Sequence, residues 1–191
     1  MQGQMLATRR SRISCDSVER KRWRQVGVTL VELMVTVAVA AVLMAIAVPS
    51  FQQLIQSNRV ATEANSLVGD LQFARGQAIK EGQPVTVCIS SDGSSCSTAT
   101  SWQTGWIVFT DPNGNQTVDS GEAPLRRQPS FSSTDTFVAA NNERSVTYNR
   151  DGFVTNLSAD TTLTLNTNPT IAGVRRCLTV SRIGRQKVAV C

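Results

Sequence analysis

The chain Gly27-Val28-Thr29-Leu30-Val31-Glu32-Leu33 opens an apolar run that reaches Val48, and between Val28 and Val48 the only charge is Glu32. A helix of that length spans about 30 Å, the thickness of a bilayer's hydrocarbon core. One unpaired carboxylate inside such a segment costs roughly 3 kcal/mol or more, so Glu32 is a candidate functional residue. Upstream, Arg9, Arg10, Arg12, Arg20, Lys21, Arg22 and Arg24 face only Asp16 and Glu19. By the positive-inside rule this asymmetry keeps the N-terminus cytoplasmic and sends the residues beyond the apolar run across the membrane.

A secretory signal peptide would end in a small-residue cleavage site after the apolar run. Here the run ends in Ala47-Val48-Pro49-Ser50, and a polar helical pattern continues from it. A plain membrane anchor leaves Glu32 unexplained. The segment resembles the class III signal of type IV pilins and type II secretion pseudopilins. In that family a prepilin peptidase cuts after the Gly, the new amino group is N-methylated, and a Glu stands fifth in the mature chain. Cutting between Gly27 and Val28 makes Glu32 the fifth residue and Pro49 the twenty-second, where the family commonly has Pro. Val28 stands where Phe is usual. The resemblance implies a leader over 1–27, a transmembrane or filament-core segment over 28–48, an amphipathic continuation over 49–82 and a periplasmic head over 83–191. It also implies a single-pass bacterial inner-membrane precursor, with prepilin peptidase, an inner-membrane assembly platform and other pilin or pseudopilin subunits as partners.

The 191 residues carry nineteen Lys and Arg against fourteen Asp and Glu. Seven and two of these precede Gly27, leaving twelve of each sign, so the chain after Gly27 is formally neutral. The basic pI therefore belongs to the leader and is not a sign of nucleic-acid binding. About 110 residues lie beyond Gly82, enough for one small globular domain.

Cys15 lies in the leader; Cys88, Cys96, Cys177 and Cys191 fall on the oxidising side of the membrane, where a disulfide framework is expected. Four cysteines allow three pairings; the expectation is local pairing, Cys88 with Cys96 and Cys177 with Cys191. Their spacings match no common zinc pattern and the chain has no His, so no metal or other cofactor is expected.

Beyond the membrane segment, Phe51, Leu54 and Ile55 extend one apolar face. Ala64, Leu67, Val68, Leu71, Ala74 and Ala78 then recur at three- and four-residue steps, an amphipathic helix. Lys80-Glu81-Gly82 followed by Pro84 ends it. One helix from Val28 to Glu81 is the expectation, with a possible kink or break at Pro49. After Gly82 the period becomes two. Val85–Ser90, Trp106–Phe109, Ser145–Tyr148, Thr161–Leu165, Cys177–Ser181 and Lys187–Val190 read as strands, separated by Gly, Asn, Asp and Ser. The class is α+β: a long N-terminal helix on an antiparallel sheet, the pilin-like fold of the resemblance. Ser90–Thr104 and Thr155–Thr170 are polar and are the expected mobile loops.

With the last turn centred on Gly184, Leu178 faces Val190 and Val180 faces Val188 on a buried side, and Cys177 faces Cys191 on the other. Arg182, Arg185 and Lys187 gather at the tip; with Arg175 and Arg176 the last 17 residues hold five cations and no acid.

The stretch Gly105-Trp106-Ile107-Val108-Phe109-Thr110-Asp111-Pro112-Asn113-Gly114-Asn115, with Glu122 and Leu125-Arg126 beyond it, resembles the GspH/FimT/FimU branch of minor pilins and pseudopilins. That branch implies a minor subunit near a fibre tip, with Glu32 pairing with the terminal amine of a neighbouring subunit. Some FimT-like members are associated with DNA uptake, and Gly184-Arg185-Gln186-Lys187 resembles a basic hairpin motif of that group. Arg182, Arg185 and Lys187 are therefore candidate phosphate contacts, with a solvated face or an acidic neighbour as alternatives. Asp111, Asn113, Asn115, Thr117, Asp119 and Glu122 have the spacing of a calcium loop, but Gln116 replaces the Gly at its sixth position and the flanks read as strands, so a hairpin loop explains them better. Catalysis has little support: there is no His, and the Ser residues lie in loops without an evident base.

Overall fold

The computed structural model describes residues 27–191 except Ala172. The leader cations and Cys15 lie outside the described residues. The chain divides into two compact units, with the boundary between Leu43 and Met44. Of the first unit, residues 27–29 are non-helical and the helix begins at Leu30; its apolar side chains are exposed.

Helix α1 (Leu30–Glu81) is continuous through Pro49, as one helix with at most a kink or break there was expected to run. It ends as its sequence demands: Gly82 takes φ +70° and its N–H bonds the Ala78 carbonyl at 2.9 Å, a left-handed cap that a residue with a Cβ adopts only at a cost. In the second unit one stripe of the helix is fully buried, Val60, Ala64, Leu67, Leu71, Ala74 and Ala78.

That stripe packs on two four-stranded antiparallel sheets. The first contains β1 (Val85–Ile89), β2 (Trp106–Thr110), β3 (Pro124–Gln128) and β5 (Ser145–Tyr148), in the order β3-β2-β1-β5. The second contains β4 (Thr136–Ala139), β6 (Thr161–Asn166), β7 (Arg176–Val180) and β8 (Gln186–Val190), in the order β4-β6-β7-β8. Val85, Val87, Trp106 and Val108 of the first sheet share one core with Phe137, Leu163, Leu165, Leu178 and Val180 of the second. The first sheet is covered on its other face as well. There Cys88, Ile107 and Phe109 form a second cluster with Cys96 and Val118, which is why Trp106–Phe109 is apolar without alternation.

Two strands escaped the sequence reading. β3 is an exposed edge carrying Pro124, Arg126 and Arg127, the residues that protect an edge and disguise a strand. β4 has only Phe137 and Ala139 buried. The segments expected to be mobile are tied down in part. Trp102 of Ser90–Thr104 is buried, and its indole N–H donates to the Glu143 carbonyl at 3.0 Å. The Asp92 carboxylate in the same segment accepts from the Ser95 hydroxyl and the Ser94 and Ser95 N–H groups, which hold it well below the usual carboxylate range. Strand β6 occupies the middle of Thr155–Thr170.

The final hairpin differs in register from the sequence expectation. Leu178 faces Val188, Val180 faces Gln186 and Cys177 faces Ala189. The turn centres on Ile183 rather than Gly184. The Gly184 N–H bonds the Ser181 carbonyl and the Ser181 N–H bonds the Arg185 carbonyl, both at 2.9 Å. This is a three-residue loop closed by a left-handed glycine, with φ +78° at Gly184. The shift of two keeps every side chain on its face but leaves Val190 at the exposed end. Cys177 and Cys191 are bridged on the diagonal with Cα atoms 5.2 Å apart, and Cys88 is bridged to Cys96 with Cα atoms 5.6 Å apart.

Polar groups along α1 tie it to both sheets. Arg59 grips Asp135 through two bonds of 2.8 and 2.9 Å, with the Asp135 side chain fully buried and that of Arg59 36% exposed. Burial first, and then the nearby Asp135 charge, raise the neighbouring Glu63 carboxyl above its usual range. Asp70 accepts from the Trp106 indole at 2.8 Å and from Arg126 at 3.1 Å, and Arg126 lies 3.8 Å over the Phe73 ring.

Arg59→Ala strands a buried carboxylate and should cost about 3 kcal/mol in denaturant unfolding. Arg126→Ala, which breaks a pair whose cation is half exposed and leaves Asp70 its Trp106 bond, should cost about 1 kcal/mol; equal losses would contradict this division. A Cβ at Gly184 would run into the Gly152 carbonyl as well as strain the backbone, so Gly184→Ala should cost about 2 kcal/mol or more in the same measurement.

Candidate functional site

The residues flanking the expected cleavage point lie just ahead of α1. Gly27 and Val28 are non-helical and exposed, and a Cβ at Gly27 would meet nothing within 4 Å; space in this chain therefore does not require glycine there. Thr29 caps the helix: its hydroxyl oxygen accepts the Glu32 N–H at 3.2 Å, and its carbonyl accepts the Leu33 N–H at 3.1 Å. Thr29-Leu30-Val31-Glu32 is thus a Thr-x-x-Glu capping sequence, a signal legible in the chain that the search for apolar periodicity passed over. It sets the Glu32 carboxylate in the first helical turn, where the unpaired N–H groups favour negative charge. Glu32 is exposed among Leu30, Val31, Leu33 and Met34, also exposed. The helix is long and apolar enough to cross a membrane.

In the second unit, Arg182, Arg185 and Lys187 are exposed, and none of them forms an ion pair among the described residues. Lys187 faces Thr179 across the β7–β8 ladder, on the face where Thr162 and Thr179 exchange a hydroxyl bond, away from the core side of Leu178 and Val180. Arg182 sits at the turn, where its own N–H donates to Asp160 at 3.0 Å and its carbonyl accepts the Val154 N–H at 2.8 Å.

The tip is clamped from behind by Arg75, whose guanidinium donates to the Gly184 carbonyl at 3.0 Å and the Ile183 carbonyl at 3.3 Å. Gly184 is buried where Gly152 and Arg75 crowd it. Below it Gln186 donates to the Tyr148 hydroxyl at 2.7 Å, and burial pushes that phenol up to about 12. Sequence reasoning did not find Arg75, because a cation on the polar face of an amphipathic helix carries no sign of what it will touch 109 residues later.

The Asp111–Glu122 loop spends its polar groups on itself and on the neighbouring strands β1 and β5. The buried Asp111 carboxylate accepts from the Thr86 hydroxyl at 2.7 Å and from the N–H groups of Asn115 and Gln116 at 3.1 and 2.9 Å. Asn113 and Asn115 both donate to Asp119, and Glu122 accepts the Asp119 N–H. Gln116 adopts φ +62°, the left-handed conformation for which glycine is usual.

The family model described as "Type II transport protein GspH" matches residues 63–184, and that of the "Prokaryotic N-terminal methylation motif" matches residues 24–48. The pilin-like protein PilA1 of Thermus thermophilus is 31% identical over 98 residues, 50% of this chain and 54% of that protein, so the match spans about half the length of the relative. Among solved structures, the type IV minor pilin FimU of Pseudomonas aeruginosa matches in two crystal forms. The TM-scores are 0.54 and 0.50 at 22% identity, covering 69% of this chain and 89% and 91% of the solved chains; at that identity the likeness concerns the fold. The GspH match fills well over half of the chain and follows an N-terminal methylation motif, and on that ground the protein belongs to the GspH family of pilin-type proteins.

Proposed function

We propose that the chain is a minor type IV pilin of the FimT/FimU kind, cut by prepilin peptidase between Gly27 and Val28 and assembled at or near the pilus tip to prime the fibre. The observation that carries this reading is the exposed apolar helix segment bearing Glu32 as its single carboxylate, joined to a head with the FimU fold. Such a helix is stable only in lipid or among other helices. In a helical bundle a lone carboxylate is costly until a cation meets it, and the amino group freed at Val28 is such a cation in a neighbouring subunit. Function is then assembly rather than turnover, with the inner-membrane platform feeding subunits and the head on the periplasmic side.

A type II secretion pseudopilin is the second reading, favoured by the description of the matching family. Deleting the gene in its own host separates the two: loss of surface pili with normal exoprotein release supports the pilus, and the reverse supports secretion. A third reading places DNA on Arg182, Arg185 and Lys187, favoured by their exposure and lack of ion pairs among the described residues.

Gly27→Ala should leave an uncut precursor in the membrane, seen as a larger band; normal processing would break the signal assignment. Glu32→Ala should insert and be cut but be lost from sheared filaments; full recovery there would sink the charge pair. If three phosphates meet these cations, affinity of the full chain in detergent for duplex DNA should fall about forty-fold between about 50 and 200 mM salt. Changing all three cations to Gln should abolish that dependence, and salt-independent binding would contradict the DNA reading.

A further inference from the structure

Glu63 brings a second carboxyl to a place that already holds one. It stands one helical turn after Arg59 on α1, beside the Asp135 that leads into β4. The Asp135 side chain is fully buried, and Arg59 meets its two oxygens at 2.8 and 2.9 Å. The Asn168 N–H adds a bond of 3.3 Å. One guanidinium thus answers one carboxylate. Glu63 itself forms no ion pair among the described residues.

The two oxygens of Glu63 are not alike. Oε1 accepts the Ser133 hydroxyl at 3.2 Å, and the same hydroxyl oxygen accepts the Asp135 N–H at 3.4 Å. Oε2 is buried without a hydrogen-bond partner among the described residues. A buried carboxylate oxygen that accepts nothing is costly, whereas the same group carrying a proton becomes a donor in need of an acceptor. Asp135 lies within hydrogen-bonding reach of the Glu63 carboxyl. It has room for one more donor, since its Oδ2 accepts only from Arg59 Nε among the described residues.

Two carboxylates this close do not both ionise without cost, while a protonated one and an ionised one bind each other. Burial first, and then the Asp135 charge, favour the neutral form of Glu63, against the Ser133 hydroxyl and the Arg59 charge. The next acid along α1, Asp70, is taken up by Trp106 and Arg126. A hard metal ion suits the place poorly, because it wants about six oxygens or more and Arg59 already covers both of those on Asp135.

We infer that Glu63 and Asp135 share one proton, and that this proton latches α1 to the segment entering β4, an edge strand of the second sheet, so that the head is fastened in acid and loosened as pH rises. The sign follows from linkage. A carboxyl whose folded value lies above its ordinary 4.5 gives stability that is fully present below that ordinary value and is lost as pH rises through the raised one. Asp92, held well below its ordinary value, acts in the opposite sense and in stronger acid, so it does not mask the effect.

The test follows carboxyl carbons by carbon-13 NMR in the full chain, labelled in Asp and Glu and kept in non-ionic detergent. The Glu63 carbon should titrate with a midpoint above that of the same carbon in the urea-unfolded chain, and the Asp135 carbon should report the same midpoint. Glu63→Gln puts an amide donor there at every pH. The gap in denaturant midpoint between Glu63→Gln and the unaltered chain should therefore shift in favour of Gln as pH rises through that window. A Glu63 midpoint at or below the unfolded one, an Asp135 carbon that does not respond with it, or a gap that stays constant with pH overturns the latch.

Discussion

One side of the second half of α1 must be removed from water, and the rest of the second unit is arranged around that requirement. Val60, Ala64, Leu67, Leu71, Ala74 and Ala78 are fully buried at three- and four-residue steps. Three of the six are alanines, which let the sheets approach the helix backbone closely. Neither sheet could cover that stripe alone, since its core is shared by strands of both. Burying such side chains contributes about 25 cal/mol for each Å² of apolar surface, but it is non-directional. Direction comes from the polar side chains that flank the stripe. Arg59 fixes the segment leading into β4, Asp70 fixes β2 and β3, and Arg75 fixes the β7–β8 turn. Each tie reaches a different part of the head, so the helix acts as the common reference for both sheets.

The first half of the helix obeys the opposite rule. From Val28 to Ile55 the large apolar side chains are exposed. Membership of a pilin-type family gives a physical reason: the segment is made for lipid and for other helices. On the proposed reading Glu32 turns an anchor into an assembly element; the Thr29 cap, by starting the helix at Leu30, puts that carboxylate in its first turn.

Much of the architecture was legible because it is periodic. The three- and four-residue steps from Ala64 to Ala78 gave the buried stripe, Gly82 gave the helix end, and alternation together with the short apolar run Trp106–Phe109 gave six of eight strands. What was missed lacks a periodic signature. β3 is an edge strand of Pro, Leu and Arg, and Trp102 sits in a polar loop although it is a core residue. The hairpin register was two residues off because turn type depends on one left-handed residue, and placing Gly184 at the centre or the end of the loop are both sensible readings of the same chain. At the candidate sites, the exposure of Arg182, Arg185 and Lys187 was expected from composition. The clamp from Arg75 was not, since it depends on a contact between residues 109 apart in sequence.

The central claim is that this chain works as a cleaved subunit within a filament. It is tested most directly by the intact mass of the protein recovered from sheared filaments of its own host. The account predicts a chain starting at Val28, with one methyl group on its amine and four hydrogens missing for two disulfides. Protein that still carries residues before Val28, or that is absent from the filament fraction while abundant in the membrane, would contradict it.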